Sequence, residues 1–110
     1  MHTVVETPEF LRAAKKAGMT EAEREVAILF LAEHPEAGEV IEGSGGARKV
    51  RIAREGGGKS GGYRVITYYR DTDTPVFLLT VISKGQRADL TAGQKKQVKG
   101  STREEKRKPR

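Results

Sequence analysis

Residues 63–70 and 76–83 are two β-type runs separated only by Asp71-Thr72-Asp73-Thr74-Pro75, five residues of turn chemistry. So short a link has no room for a crossover, so the pair is predicted to form an antiparallel hairpin. The second run is the most apolar stretch of the chain and reads as a buried strand. In the first, Tyr63, Val65, Thr67 and Tyr69 take one face, while Arg64, Ile66, Tyr68 and Arg70 take the other. Neither face is purely apolar, which predicts a central strand whose polar groups are used or lie at its ends. Residues 48–53 carry a shorter alternation, with Val50 and Ile52 toward a core and Lys49 and Arg51 outward. This run is expected on the free side of residues 63–70. Hairpin geometry then sets Tyr63 and Arg64 beside Ser83 and Lys84 and brings Lys49 or Arg51 into the same region.

The N-terminal third reads as a short strand, residues 3–6, followed by two helices. Thr7 is a cap before Pro8 at the first helical position, Phe10, Leu11, Ala14 and Ala17 form an apolar face, and Gly18 is a stop. Thr20 and Glu23 have capping-box spacing. The second helix is expected to bury Ala22, Val26, Leu29 and Phe30, a stripe widened by Ala27, Ile28 and Leu31. His34-Pro35 ends it, and His34 reads as a terminal group favourable to the helix dipole. Residues 35–47 read as an exposed acidic connection, with Val40 and Ile41 tucking one end onto the domain. A helix over about residues 92–99, capped by Thr91, is followed from Gly100 by Ser, Thr, Arg, Glu, Lys and Pro. The expected organisation is one domain over residues 1–99 and a basic, disordered tail over 100–110.

Charge separates the two ends of the chain. Residues 1–42 hold four Lys/Arg against nine Asp/Glu, and residues 43–110 hold seventeen against six. The second part stays strongly basic when residues 100–110 are left out, which points to one face that meets a polyanion and another that does not. With 110 residues there is room for one small domain. Cysteine is absent, which excludes a disulfide framework and thiolate metal sites. The chain has no long apolar run and no signal-like start, so a cytoplasmic protein without a membrane partner is expected.

The cations sit on glycines. Arg48, Lys49, Arg51, Arg54, Lys59 and Arg64 fall in the glycine-rich stretch 43–64, where Glu55 is the single acid. Glycine clusters mark positive backbone dihedrals or the close approach of a partner, and an anionic partner suits the cations. Gly-Gly-Gly-Lys-Ser at 56–60 lacks the glycine a phosphate loop needs, since that position is Ala53, and a strand follows instead of a helix. Nucleic-acid contact is the stronger reading: arginine grips phosphate through two donors, and an exposed tyrosine can stack on a base. Cleavage of RNA is also within reach of such residues. The neighbouring 2′-OH is the nucleophile, a lysine among other cations can accept its proton, and arginine can stabilise the phosphorane. A binding surface without chemistry fits the same residues. No metal or cofactor is called for.

Four segments in order, GSGGARKVR (43–51), GKSGGYRVI (58–66), LTVISK (79–84) and DLT (89–91), resemble the RelE/HigB superfamily of bacterial type II toxins, and within it the HigB-like group. The resemblance runs from about residue 2 to 99. It implies an α+β, RelE-like microbial ribonuclease-like fold, with an N-terminal helical hairpin packed on a small curved antiparallel sheet. It also implies inhibition by a cognate antitoxin, a possible higher-order complex on operator DNA through that antitoxin, and cleavage of mRNA in the A site of the 70S ribosome. The family's catalytic positions fall on Lys59 or Lys49 for proton transfer, Arg64 as phosphate clamp and Lys84 as a second charge-stabilising group. Arg48, Arg51, Arg54, Tyr68 and Arg70 are the candidates for contact with RNA or ribosome. Unlike some relatives, the chain has no tyrosine or histidine in residues 85–110, which leaves a noncatalytic binding module or a gyrase-directed toxin as alternatives.

Overall fold

Thr7 and Thr20 start the two N-terminal helices in the computed structural model, which describes residues 2–54, 62–83 and 92–107. Strand β1 (Val4–Glu6) leads into α1 (Pro8–Ala17), where the Thr7 side chain accepts from the Phe10 N–H and Gly18 ends the helix. Helix α2 (Glu21–Glu33) opens with the complete capping box: the Glu23 N–H donates to Thr20 Oγ1 at 3.1 Å, and the Thr20 N–H donates to Glu23 Oε1 at 2.8 Å. Strands β2 (Glu39–Val40), β3 (Arg48–Ile52), β4 (Tyr63–Tyr68) and β5 (Val76–Ser83) follow, then α3 (Ala92–Arg107).

The sheet has the order β1-β5-β4-β3-β2. The predicted hairpin is β4–β5, and β3 pairs antiparallel on the other side of β4, as its alternation required. The sheet is mixed instead of purely antiparallel, because β1 runs parallel to β5. The two helices carry the chain across one face, so β1 comes to lie along the outer edge of β5. Thr7 secures that edge, its hydroxyl donating to the Leu78 carbonyl at 2.7 Å. Leu79 is an extra residue opposite the Ile66–Thr67 step, and this bulge resets the alternation of β5. Leu78 and Val81 consequently share one core although they stand three residues apart.

Both faces of the sheet are covered. On one, Phe10 and Ala14 of α1 and Ala27 and Leu31 of α2 meet Val50, Ile52, Tyr63, Val65, Val76 and Leu78. On the other, Val98 of α3 meets Ile66, Tyr68, Leu79, Ile82, Ile41 and Ala47. Two-sided burial explains why β4 and β5 are apolar on both faces.

Three segments differ from their reading in the sequence. Helix α2 turns the opposite stripe inward: Glu23, Ala27, Leu31 and Ala32 are buried, whereas Val26, Leu29 and Phe30 are 59%, 54% and 41% exposed. Ala27 and Leu31 join the first core, which leaves the Val26, Leu29 and Phe30 stripe facing outward. Residues 35–47 are more than a connection, since Glu39 and Val40 pair with β3 and Ser44 is fully buried, its hydroxyl accepting from the Ala47 N–H at 3.0 Å. The third difference is the tail. Helix α3 runs past Gly100 to Arg107, held by Thr102, which is fully buried and donates to the Ser44 carbonyl at 2.9 Å.

Candidate nucleic-acid interface

Lys49 and Arg51 alternate with the buried Val50 and Ile52, so both stand on the α3 side of the sheet. Arg64 stands there too, directly opposite Arg51 in the β3–β4 ladder, and Lys49 lies opposite Ile66. Directly opposed residues have their Cβ atoms about 5 Å apart, where like charges destabilise the pairing. Arg64 is only partly exposed, and its Nη1 is buried with no hydrogen-bond partner among the described residues. A buried guanidinium nitrogen without a partner costs free energy.

The other predicted site residues are placed differently. Arg48 is at the far end of β3 from the Arg51–Arg64 pair and donates to the Gly38 carbonyl at 3.2 Å. Arg54 sits over the ring of Tyr63, its guanidinium carbon 5.9 Å from the ring centre, on the side of α1 and α2. Tyr68 is 4% exposed within the second core, so its ring is not open for stacking on a base. Burial also pushes its phenol above the ordinary value, against the pull of Arg70, which keeps it protonated at neutral pH. Arg70 closes the end of α3, donating to the carbonyls of Glu105 at 3.4 Å and Lys106 at 3.3 Å, and pairs with Asp71. Lys59 and Lys84 lie outside the described residues. The structure therefore gathers Lys49, Arg51 and Arg64 and assigns Arg48, Arg54, Tyr68 and Arg70 local structural contacts.

The described glycines serve the fold more than a ligand. Gly45, at φ 80°, is met by Thr102 of α3, and a Cβ there would overlap the Thr102 hydroxyl. Gly62, at φ 117°, lets the chain re-enter β4 beside β3, where a Cβ would stand 2.9 Å from the Ile52 carbonyl oxygen. The close approach foreseen for these glycines is that of the chain's own helix and strand.

Two features of the site were not read from the sequence. Tyr63, next to Arg64, is fully buried, and its hydroxyl donates to Glu23 Oε1 at 2.9 Å, with the Gly18 carbonyl 3.3 Å away. Burial, and then the hydrogen bond to Glu23, raise its pKa above the ordinary 10.0. The same carboxylate oxygen completes the capping box of α2, so one acid ties the start of β4 to the turn between the helices. The capping-box spacing was legible, but its third partner stands forty positions away in the chain. The second feature is a depression of about 250 Å³ beside Thr80 and Ile82, lined also by Arg12 and Lys16 of α1 and Gln94 of α3. Glu9 also lines it and pairs with Arg12 at 3.2 Å, so Lys16 is the further cation that α1 brings beside Ile82, the ladder partner of Arg64.

Helix α3 is the outer layer over this face. Lys96, Lys99, Arg103 and Lys106 are exposed at helical spacing, opposite the buried Val98 and Thr102. Among the described residues no group of three or more His, Cys, Asp or Glu could hold a metal, and no helix is long and apolar enough to cross a membrane.

Helices on a mixed sheet, with Lys49, Arg51 and Arg64 gathered on one face, define a small α+β protein. The family model of the RelE toxin of the RelE/RelB toxin–antitoxin system matches residues 2–107, nearly the whole chain, and the protein belongs to that family. It is accordingly the toxin of a toxin–antitoxin pair, with a cognate antitoxin as partner.

Proposed function

We propose that the protein is a ribosome-dependent endoribonuclease of the HigB-like group that cleaves mRNA in the ribosomal A site. The observation that carries this reading is the Arg51–Arg64 juxtaposition, with the buried Nη1 of Arg64 left without a hydrogen-bond partner among the described residues. In the reaction the 2′-oxygen attacks the adjacent phosphorus, its proton passes to a base, and the bond to the 5′-oxygen breaks as that oxygen takes up a proton. The products are a 2′,3′-cyclic phosphate and a 5′-hydroxyl, with no external nucleophile consumed. Arg64 is the clamp on the nonbridging oxygens, where charge grows in the transition state. Arg51 faces it across the ladder and holds the flanking phosphate. Lys49, on the same face of the sheet as both arginines, is the described candidate for proton transfer. Lys59 is the alternative for that role, and Lys84 is the candidate second charge-stabilising group.

Primer extension on a translated message tests the proposal. Cuts within codons that vanish with Arg64→Ala are expected. Translation arrest with intact transcripts would favour the noncatalytic reading, to which the burial of Tyr63 and Tyr68 already lends support, because neither ring is open to stack on RNA. Supercoiling of DNA by gyrase in the presence of the toxin checks the gyrase-directed reading. The antitoxin, and through it operator DNA, completes the set of partners.

A further inference from the structure

Helix α2 is apolar on two sides. Its inner side, with Ala27 and Leu31, belongs to the first core. Its outer side carries Val26, Leu29 and Phe30, each more than two fifths exposed, at the three-and-four spacing of a single stripe about 6 Å long. A surface helix ordinarily turns polar residues outward, and an apolar outer stripe marks a face that something else covers. The stripe runs on into an open depression of about 460 Å³ lined by Phe30, His34, Pro35, Glu36 and Ala37. Together they offer a ridge with a socket at its end, on the opposite side of the sheet from Arg64 and α3.

The charge around the stripe selects the occupant. Glu25, Glu33 and Glu36 are exposed beside it, and residues 1–42 as a whole hold nine acids against four bases. An acidic border repels RNA, so this face is not part of the nucleic-acid interface. Pairing the face with itself in a second copy would set carboxylates against carboxylates. We infer that the outer stripe of α2 is the docking surface for the cognate antitoxin, filled by an amphipathic segment whose apolar residues are flanked by Lys and Arg. Val26, Leu29 and Phe30 stand at i, i+3 and i+4, a spacing at which helices present apolar anchors to a partner, and the socket lies beyond Phe30. The antitoxin is then anchored on the face remote from the cations, and the contact exists whether or not the toxin cleaves RNA.

The test is the affinity of the full-length toxin for the product of the adjacent reading frame, measured by calorimetry for wild type, Leu29→Glu/Phe30→Glu and Glu25→Lys/Glu33→Lys. All these positions are exposed, and melting temperatures report whether each variant is folded. The first variant is expected to bind at least about 100-fold more weakly, as loss of central anchors does. The second is expected to bind about 10-fold more weakly, with a smaller dependence on salt. Unchanged affinity in both, with loss on substitution of Arg51 or Arg64, would overturn the inference by moving the antitoxin to the basic face. It is equally overturned if the wild type does not bind that product, or if the α2 variants change only the sedimentation of the toxin alone, which would make the stripe a contact between copies. RNA cleavage by the same variants is read separately, so failure of the nuclease proposal leaves the affinity comparison intact.

Discussion

Replacing Arg64 with methionine removes the guanidinium but keeps an unbranched side chain in its place, so packing around the stem is largely retained. Two effects of opposite sign are expected. Loss of a preorganised group at the developing phosphorane costs about 10²–10³-fold in the chemical step, or about 3–4 kcal/mol. Folding should respond the other way. The buried Nη1 makes no hydrogen bond among the described residues, and Arg51 stands directly opposite, so the wild type carries a desolvation penalty of about 1–3 kcal/mol and a smaller repulsion between like charges. Offset by the hydration that the rest of the group keeps, a net gain of about 1 kcal/mol is expected for Arg64→Met, or about 4–8 °C in melting temperature for a domain of this size. Arg64→Lys keeps the charge without the two-donor geometry and should lie between the two in rate. Single-turnover cleavage on saturated, mRNA-programmed ribosomes gives the first quantity and urea denaturation the second. A variant that cleaves within about threefold of wild type while losing more than about 2 kcal/mol of stability would refute the reasoning, since Arg64 would then be a structural residue.

Tyr63→Phe should cost about 2 kcal/mol at neutral pH through the lost bond to the Glu23 carboxylate. The folded-state pKa of Tyr63 is raised, so the stability it contributes is full below pH 10.0 and is lost as pH rises from there through the folded value; urea titrations across that range should show this decline in wild type and not in the variant. Gly45→Ala should cost about 2–3 kcal/mol, from a left-handed φ and displacement of the Thr102 hydroxyl from Ser44, whereas Gly43→Ala, with φ 77° and nothing within 4 Å, should cost only about 1–2 kcal/mol. Denaturation of both variants checks the difference. Reversing the charges of Lys96, Lys99 and Arg103 should weaken ribosome association and flatten its dependence on salt by about 0.7–0.9 per lost phosphate contact, leaving saturated single-turnover cleavage unchanged; binding measured across a salt series is the readout.

The parts of this fold that were legible in the sequence depend on residues a few positions apart. Thr7 with Phe10, Thr20 with Glu23, Gly18 as a stop and the five-residue link between β4 and β5 all act within one or two turns of chain. The hairpin then carried the reading of β3 to the correct side of β4, which is why the pairing of Arg51 with Arg64 lay within reach. What only the tertiary structure decided depends on which surface comes to lie opposite. Helix α2 has two apolar stripes, and periodicity does not say that Ala27 and Leu31, instead of Leu29 and Phe30, meet the sheet. The last residues look solvated by composition, yet α3 persists because Thr102 reaches Ser44 and Arg70 reaches the helix end, across 58 and 35 positions of sequence. Those same contacts withdraw Arg70 from the candidate site, and burial beneath α3 withdraws Tyr68. Charge and ring are properties of a residue type, but whether a cation is spent on a helix end or left without a hydrogen-bond partner among the described residues is a property of its neighbours in space.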